Sequence, residues 1–114
     1  MDALECEPTN IRFQFINARL QYLIHRYTKA YQILKPLLKL LKDNKTRANC
    51  LFFIAKCELK MGKELHCIDN FKKVLELDVN HYGASIHLGN ILVSKGKGQS
   101  AAEYFANAVR IDPN

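Results

Sequence analysis

The residues most able to do chemistry in this 114-residue chain are its four cysteines and four histidines. The cysteines form no CxxC pair, and His66, which adjoins Cys67, has no further ligand at the spacing of a zinc site. Cys50, Cys57 and Cys67 fall among apolar residues. They are therefore predicted to be buried free thiols, because disulfides are rare in a reducing cytosol. No metal site is predicted.

A second candidate is the stretch KGKGQS, residues 95–100, whose glycines and lysines are reminiscent of a phosphate-binding loop. It lacks the GxxxxGK[ST] order of that loop, and no strand is predicted before it. The stretch is therefore interpreted as a turn between helices. No Ser, His and Asp cluster lies at a strand-to-helix turn either. The chain is predicted to be no enzyme and to use no cofactor.

The net charge of +6 is unevenly distributed. Residues 1–47 hold nine Lys/Arg against four Asp/Glu, residues 48–81 hold five of each, and residues 82–114 hold three against two. The basic first third indicates an acidic partner there or a solvated helical face. Nucleic acid is the less favoured partner, because the cations spread around two predicted helices and no base-reading code repeats along the chain.

No apolar run in the sequence is long enough to span a membrane. The N-terminal stretch MDALECEP is acidic and lacks the basic and then apolar pattern of a signal peptide. These features predict an intracellular, cytoplasmic protein that is not secreted and has no membrane partner. Association with the cytoskeleton, a cilium or the nucleus is compatible with the same features.

The elements that position these residues repeat along the chain. FKKVLELDVN at residues 71–80 returns as FANAVRIDPN at residues 105–114, and residues 48–81 align with 82–114 without a gap at a period of 34. Within each unit the apolar residues follow the spacing of two amphipathic helices. Gly62 and Gly96 are predicted to end each first helix in a left-handed cap. Each unit therefore predicts two antiparallel helices.

A third, looser copy precedes these two from residue 11, with about three extra residues in the LLKLLKDNKT region. Small residues keep its register, since close helix crossings admit only small side chains. They form two sets at equivalent positions: Ala18, Ala55 and Gly89, then Ala30, Cys67 and Ala101. Four residues that each stand two positions before a unit boundary are predicted to be helix N-caps: Thr9, Thr46, Asn80 and Asn114.

This pattern resembles the tetratricopeptide repeat (TPR) family. The third unit carries the family's signature spacing at Leu88, Gly89, Ala101, Phe105, Ala108 and Pro113, with Ser85 and Leu92 in place of the usual Trp and Tyr. The second unit keeps Ala55, Gly62 and Phe71, and the first matches at Ala18, Tyr27 and Ala30. The resemblance implies an all-α, right-handed superhelical solenoid of three antiparallel helix pairs, six helices in all.

The predicted organisation is an N-terminal tail over 1–8, a degenerate first repeat over 9–47, a second repeat over 48–81 and a third over 82–114. Pro36 lies inside the second predicted helix and predicts a kink near residues 32–36, with a restarted helix as the alternative. The chain stops at a repeat edge without the polar capping helix that usually ends such arrays. We interpret it as a fragment of a longer array, the alternative being an edge covered by another chain.

The TPR resemblance also implies a binding surface, because the first helix of each pair lines the concave side of such arrays. The second, fifth, ninth and twelfth positions of each first helix would face it. The predicted partner-binding residues are Arg12, Phe15, Arg19, Tyr22, Asn49, Phe52, Lys56, Leu59, Ile86 and Asn90. Aromatic and aliphatic groups mixed with cations favour a peptide or helix with apolar anchors and acidic residues.

Some TPR domains hold a chaperone's C-terminal carboxylate with a clamp of Lys, Asn and Arg residues. The corresponding positions here carry Phe15, Arg19, Phe53, Gly83 and His87. The clamp is therefore absent. The chain is predicted to be a non-catalytic interaction scaffold or adaptor within a larger multi-subunit complex. The alternatives are a nucleic-acid-binding repeat that uses the basic first third and a module that self-associates through its C-terminal edge.

Overall fold

Six α-helices follow one another along the chain and are joined by short turns. A computed structural model describes residues 8–113, with side chains from residue 11 onward. The helices are α1 (Pro8–Leu23), α2 (Tyr27–Leu40), α3 (Asn44–Lys60), α4 (Glu64–Leu77), α5 (Tyr82–Ser94) and α6 (Gly98–Ile111). The described range contains no strand, and the predicted all-α fold of three antiparallel helix pairs is confirmed. Residues 1–7 of the predicted tail, Cys6 among them, lie outside the described residues.

Helices α3 and α5 begin at side-chain caps that the sequence analysis did not identify. The Asp43 carboxylate accepts the backbone N–H of Thr46 at 3.1 Å, and Nδ1 of His81 accepts that of Ala84 at 3.2 Å. Thr46 therefore lies inside α3, and Asn80 lies one residue before the cap of α5. The predictions of caps at Thr46 and Asn80 were wrong.

The wrong cap at Thr46 has a simple geometric cause. α3 has 17 residues and starts at Asn44, whereas the equivalent α5 has 13 and starts at Tyr82. The extra residues of the first repeat therefore lengthen the start of α3. Thr9, another predicted cap, lies within α1, and Asn114 lies outside the described residues.

The turn inside each helix pair contains one residue with a positive φ. Gly62 and Gly96 have φ of +82° and +79°, which confirms the predicted left-handed caps. His25 occupies the equivalent place in the first pair, with φ of +66°. The Nδ1 atom of His25 lies 2.6 Å from the hydroxyl of Tyr27. The first turn thus uses a residue with a Cβ where the other two use glycine.

α2 continues through Pro36 as one helix, so the alternative of a restarted helix is wrong. The kink at Pro36 stays a prediction. The end of α2 is fixed by α3, because the Arg47 guanidinium donates to the carbonyl of Leu41 at 3.1 Å and to that of Leu38 at 3.4 Å. Carbonyls at a helix end lack partners within the helix, and Arg47 supplies one from the next pair.

Each helix packs against its neighbours in the chain, and α1 also touches α3, which gives an elongated body of 50 × 27 × 23 Å. The predicted register is confirmed, since all six small residues are buried: Ala18, Ala55, Gly89, Ala30, Cys67 and Ala101. A Cβ on Gly89 would lie 2.6 Å from the ring of Phe105, so glycine is required for this close approach. The core is thickest around Ile54, Phe71 and Val74 of the middle pair.

Candidate functional site

Three aromatic residues of α1 and α3, Tyr22, Phe52 and Phe53, converge on the ammonium group of Lys56. Lys56 Nζ lies 4.9 Å from the ring centroid of Tyr22, 5.3 Å from that of Phe52 and 5.0 Å from that of Phe53. We call these four residues the Lys56 cluster. Each contact is within the range of a cation–π interaction, which contributes about 0.5–1 kcal/mol at an exposed site. The rings hold the ammonium in one place at the junction of the first two helix pairs.

The environment of Lys56 is partly apolar and carries positive charge. Burial lowers the pKa of Lys56, and the nearby Arg19 and Lys60 act in the same direction. Arg19 itself lies over the ring of Phe53, at 5.9 Å from its centroid. Within residues 8–113 no carboxylate forms an ion pair with either cation. A partner carboxylate would therefore find two unpaired cations held against aromatic rings.

The Lys56 cluster continues into a second set of rings at the junction of α3 with α5. Phe52 lies 4.7 Å from His81 and 5.3 Å from His87, and Phe71 lies 5.4 Å from His87, all between ring centroids. His81 Nδ1 accepts a backbone N–H, so the neutral ring carries its proton on Nε2, which donates to Asn49 Oδ1 at 3.0 Å. Burial lowers the pKa of His81. The side chain of Asn49 is thereby fixed in orientation.

An open cavity of about 300 Å³ separates α1 from the start of α3 beside the Lys56 cluster. Its lining is mostly apolar, with Phe15, Ile16 and Phe53 as the large side chains. Arg19, Thr46 and Asn49 supply the polar groups at its edge. A cavity of this size admits one or two bulky apolar side chains with a polar group beside them.

The structure brings some of the ten predicted site residues together and leaves the others apart. Phe15, Arg19, Tyr22, Asn49, Phe52 and Lys56 line the cavity or belong to the ring sets described above. Arg12 and Asn90 are exposed, while Leu59 and Ile86 are half-buried, and none of these four contacts the Lys56 cluster through a described ring or cation–π interaction. The binding role of all ten residues stays a prediction.

Three residues that shape this surface were not among the predicted binding residues: Phe53, His81 and His87. Phe53 and His87 were named only as positions where the carboxylate clamp is absent. Phe53 and His87 hold equivalent positions 34 residues apart, one place after the predicted groove positions. Aromatic or imidazole side chains at one position of two successive repeats were a usable signal. His81 precedes its helix and acts both as N-cap and as ring partner, a double role with no signature in the repeat pattern.

The cysteines offer little reactivity. Cys50, Cys57 and Cys67 are buried free thiols, as predicted. Burial raises the pKa of Cys50 to about 12 and those of Cys57 and Cys67 to about 11. Since the thiolate is the nucleophile, these groups are inert at neutral pH. Among the described residues no group of three or more His, Cys, Asp or Glu side chains could hold a metal ion.

None of the helices within residues 8–113 combines the length and the apolar character needed to cross a bilayer.

Comparison with known proteins finds similarity in structure. No protein-family model matches the sequence, and no curated protein matches it either. MamA has 19% sequence identity and a TM-score of 0.79, with 96% of this chain and 63% of the MamA chain covered. The chain thus spans a little under two thirds of that protein.

A second group of similar structures comes from Yersinia enterocolitica. The type III secretion translocator chaperone SycD has 18% identity and a TM-score of 0.84, with 96% of this chain and 80% of SycD covered. SycD in complex with a peptide of the translocator YopD gives the same identity and TM-score, with coverages of 96% and 82%. MamA and SycD are TPR-like helical repeats, and at this low identity the likeness establishes the fold alone. The six helices of this chain therefore form a TPR-like helical repeat.

Proposed function

We propose that this chain is a non-catalytic interaction adaptor that binds a peptide segment or partner helix in its concave groove, within a larger assembly. The observation that carries the proposal is the Lys56 cluster, in which an unpaired ammonium is held at about 5 Å from three aromatic rings. A half-buried cation without a carboxylate is costly, and an incoming acidic residue would relieve that cost.

The shape beside the cluster supports a second contact with the same ligand. The cavity lined by Phe15, Ile16 and Phe53 accepts an apolar anchor, and Arg19 borders both the cavity and Phe53. An acidic residue at Lys56 and an apolar residue in the cavity define a short motif. Asn49, oriented by His81, can bond the ligand backbone through its free amide nitrogen.

The comparisons support binding of this kind. SycD, which shares the fold, has been solved in complex with a peptide of YopD. A six-helix array of this type can therefore accommodate a peptide. At 18% identity this precedent says nothing about which peptide the present chain takes.

Quantitative affinity capture tests the proposal. Wild type, Lys56→Met and Lys60→Met are each used to capture proteins from nuclease-treated cell extract, with identification by mass spectrometry. Lys56→Met keeps the aliphatic stem and removes the charge, and Lys60 is an exposed lysine on the same helix that serves as the matched control. We expect one set of proteins to bind wild type and Lys60→Met and to be lost with Lys56→Met.

The strength of the effect is then measured with the captured protein in purified form. Loss of one charge-assisted contact predicts at least about tenfold weaker binding to Lys56→Met. Equal binding by all three variants would exclude the groove as the working surface. A parallel capture from untreated extract is the control: proteins that bind there and are lost after nuclease treatment would instead support the nucleic-acid alternative.

A further inference from the structure

The outward side of α1 carries large apolar side chains that no described part of the chain covers. Phe13, Ile16, Leu20 and Leu23 are 66%, 64%, 52% and 69% exposed. Their spacing of three, four and three residues places them on one side of the helix. We call these four residues the α1 outer face. Single exposed apolar residues are ordinary, but four along one helix form a contiguous patch.

Equivalent residues in the later pairs show what this face is built to contact. Phe13 and Leu20 correspond to Cys50 and Cys57 of α3, which are fully buried, and to Ala84 and Ile91 of α5, which are also buried. In those pairs the second helix of the preceding pair covers these positions, because α2 packs on α3 and α4 packs on α5. In the two later pairs the fold thus places a helix against the positions equivalent to Phe13 and Leu20.

Two contacts show how close that covering helix comes. The Cys50 thiol donates to the carbonyl of Leu34 in α2 at 3.5 Å. In the next pair, Phe71 of α4 packs on His87, the equivalent of Ile16, with 5.4 Å between ring centroids. Leu34 and Phe71 hold the same position in successive second helices. If a helix docked on the α1 outer face in the same way, its residue equivalent to Leu34 and Phe71 would lie beside Phe13.

Side-chain size limits which helix can fit there. In α3 the small Cys50 lies against Leu34, whereas the equivalent residue of α1 is the larger Phe13. The covering helix must therefore carry small residues along its contact line if it is to approach as closely. A second copy of this chain would dock its α6 on the α1 outer face. It fits less well than a helix with small residues, because Phe105, the α6 residue equivalent to Leu34, would lie against Phe13.

Charge defines one edge of the covering helix. Residues 8–42 hold seven Lys/Arg and no Asp or Glu. Arg12 and Arg19, both exposed, lie beside Ile16 at helical spacings of four and three residues. The other edge is neutral, where the Gln21 amide donates to Asn17 Oδ1 at 3.2 Å. A complementary helix carries carboxylates on the arginine side and neutral residues on the other.

We propose that the α1 outer face docks an amphipathic helix of a partner protein, with small residues along its contact line and carboxylates along the edge that faces Arg12 and Arg19. The helix takes the place that α2 takes on α3. This surface borders the cavity beside the Lys56 cluster, because Ile16 lines that cavity and Arg19 lies at the edge of both. Phe13, Leu20 and Leu23 line neither the Lys56 cluster nor its cavity, so substitutions at Leu20 and at Lys56 separate the two sites.

The test uses a synthetic helix-stabilised peptide of about four turns. It carries Ala at the contact positions, Leu beside them and Glu along one edge, with a fluorescein label. Fluorescence anisotropy measures its Kd for wild type, Leu20→Gln, Lys56→Met and Leu65→Gln. Leu65 lies on α4 and is 75% exposed, so it is a matched control for removal of an exposed leucine.

We expect Leu20→Gln to raise the Kd at least about tenfold, with Leu65→Gln and Lys56→Met close to wild type. A peptide with Phe at its central contact position should bind about tenfold less tightly, because it would meet Phe13. Replacing the Glu edge by Gln should weaken binding and remove its dependence on salt. Circular dichroism melts of Leu20→Gln and Leu65→Gln should match wild type, since these two side chains are exposed.

Three results would overturn the proposal. The first is absence of peptide binding to wild type at every concentration reached. The second is a Kd that Leu20→Gln leaves unchanged, or that Lys56→Met raises as much, which would assign the peptide to another surface. The third comes from sedimentation velocity of the chain alone: a concentration-dependent dimer that Leu20→Gln abolishes would make a second copy the occupant.

Discussion

α1 and α3 hold the same place in neighbouring helix pairs, yet α3 is covered on a side where α1 is exposed. Leu20 of α1 is 52% exposed, and its equivalent, Cys57, is fully buried. The leucine is the more hydrophobic of the two. Burial is thus decided by which helices stand next to a residue and not by that residue's own preference. Equivalent positions of the repeat thus lie on the surface in the first pair and in the core in the second pair.

The same two pairs differ in the turn that joins their helices. Gly62 adopts a positive φ at no steric cost, whereas His25 adopts one with a Cβ present. His25 has a compensating contact, since its ring lies 5.7 Å from that of Tyr27 and its Nδ1 lies 2.6 Å from the Tyr27 hydroxyl. The first turn is held by side chains, and the second by backbone freedom alone.

The junctions between pairs differ as well. Asp43, at the start of α3, is an exposed carboxylate whose pKa is lowered by the backbone and hydroxyl groups of Thr46. His81, at the start of α5, is half-buried against Phe52 and bonded to Asn49 of α3. The first cap serves its own helix, and the second also connects two pairs. The second junction is therefore expected to lose stability as the pH falls below about 6.5, because burial lowers the pKa of His81.

The largest effect is expected from placing the same amide at equivalent positions of α1 and α3. Cys57→Gln buries a larger polar group in a packed site and should lower the free energy of unfolding by about 2–4 kcal/mol. Leu20→Gln should change it by less than about 0.5 kcal/mol, because the site is exposed. Urea denaturation followed by circular dichroism measures both. Equal effects of the two substitutions would contradict the contrast between the helices.

A smaller effect is expected from His81 when the pH falls. Burial lowers its folded-state pKa, so the unfolded chain takes up the proton first as the pH drops below about 6.5. Stability present above that pH is then lost. His81→Asn keeps a capping acceptor without a titrating group. Between pH 7.5 and 5.5 wild type should lose more stability than this variant, by less than about 1.4 kcal/mol.

Denaturation curves at the two pH values measure this difference directly. The other histidines are common to both proteins, so their contributions cancel except for the Coulombic effect of His87 on His81. Parallel losses in wild type and His81→Asn would show that the junction of α3 with α5 is not sensitive to pH.

The smallest effect is expected from the turn of the first pair. His25→Gly removes the steric cost of a positive φ but loses the contact with Tyr27, so it should raise the free energy of unfolding by up to about 1 kcal/mol. His25→Ala retains a Cβ and loses the same contact, and it should be no more stable than wild type. Thermal melts separate the two. A gain with Ala as large as that with Gly would refute the backbone explanation.

Much of the fold was predictable because it depends on local rules. The period of 34, the small residues at helix crossings and the left-handed Gly62 and Gly96 follow from helical spacing and backbone sterics. The caps were less predictable, since several polar residues near each helix start can serve. Asp43 and His81 take that role because the start of α3 is extended and because His81 also packs on Phe52.

The residues of the candidate site were likewise predictable only in part. The repeat predicted which residues lie on the first helix of each pair. Six of the predicted binding residues do line the cavity or belong to the ring sets. Phe53 and His87 were missed because a helical period specifies a face only to within about one residue position. Aromatic rings that meet across three helices leave no recognisable pattern in the sequence of any single helix.

By itself the sequence determined the helices, their pairing and the small residues that let them cross, because each depends on contacts a few residues apart or on a strict repeat. Tertiary structure decided which of the large apolar side chains at equivalent positions become core. Ile16 and Phe53 occupy one position of the repeat, yet the first is 64% exposed and the second is packed among Phe52, Lys56 and Arg19. The physical reason is that burial depends on how many neighbouring helices surround a residue, and that number varies along the array while the pattern stays the same.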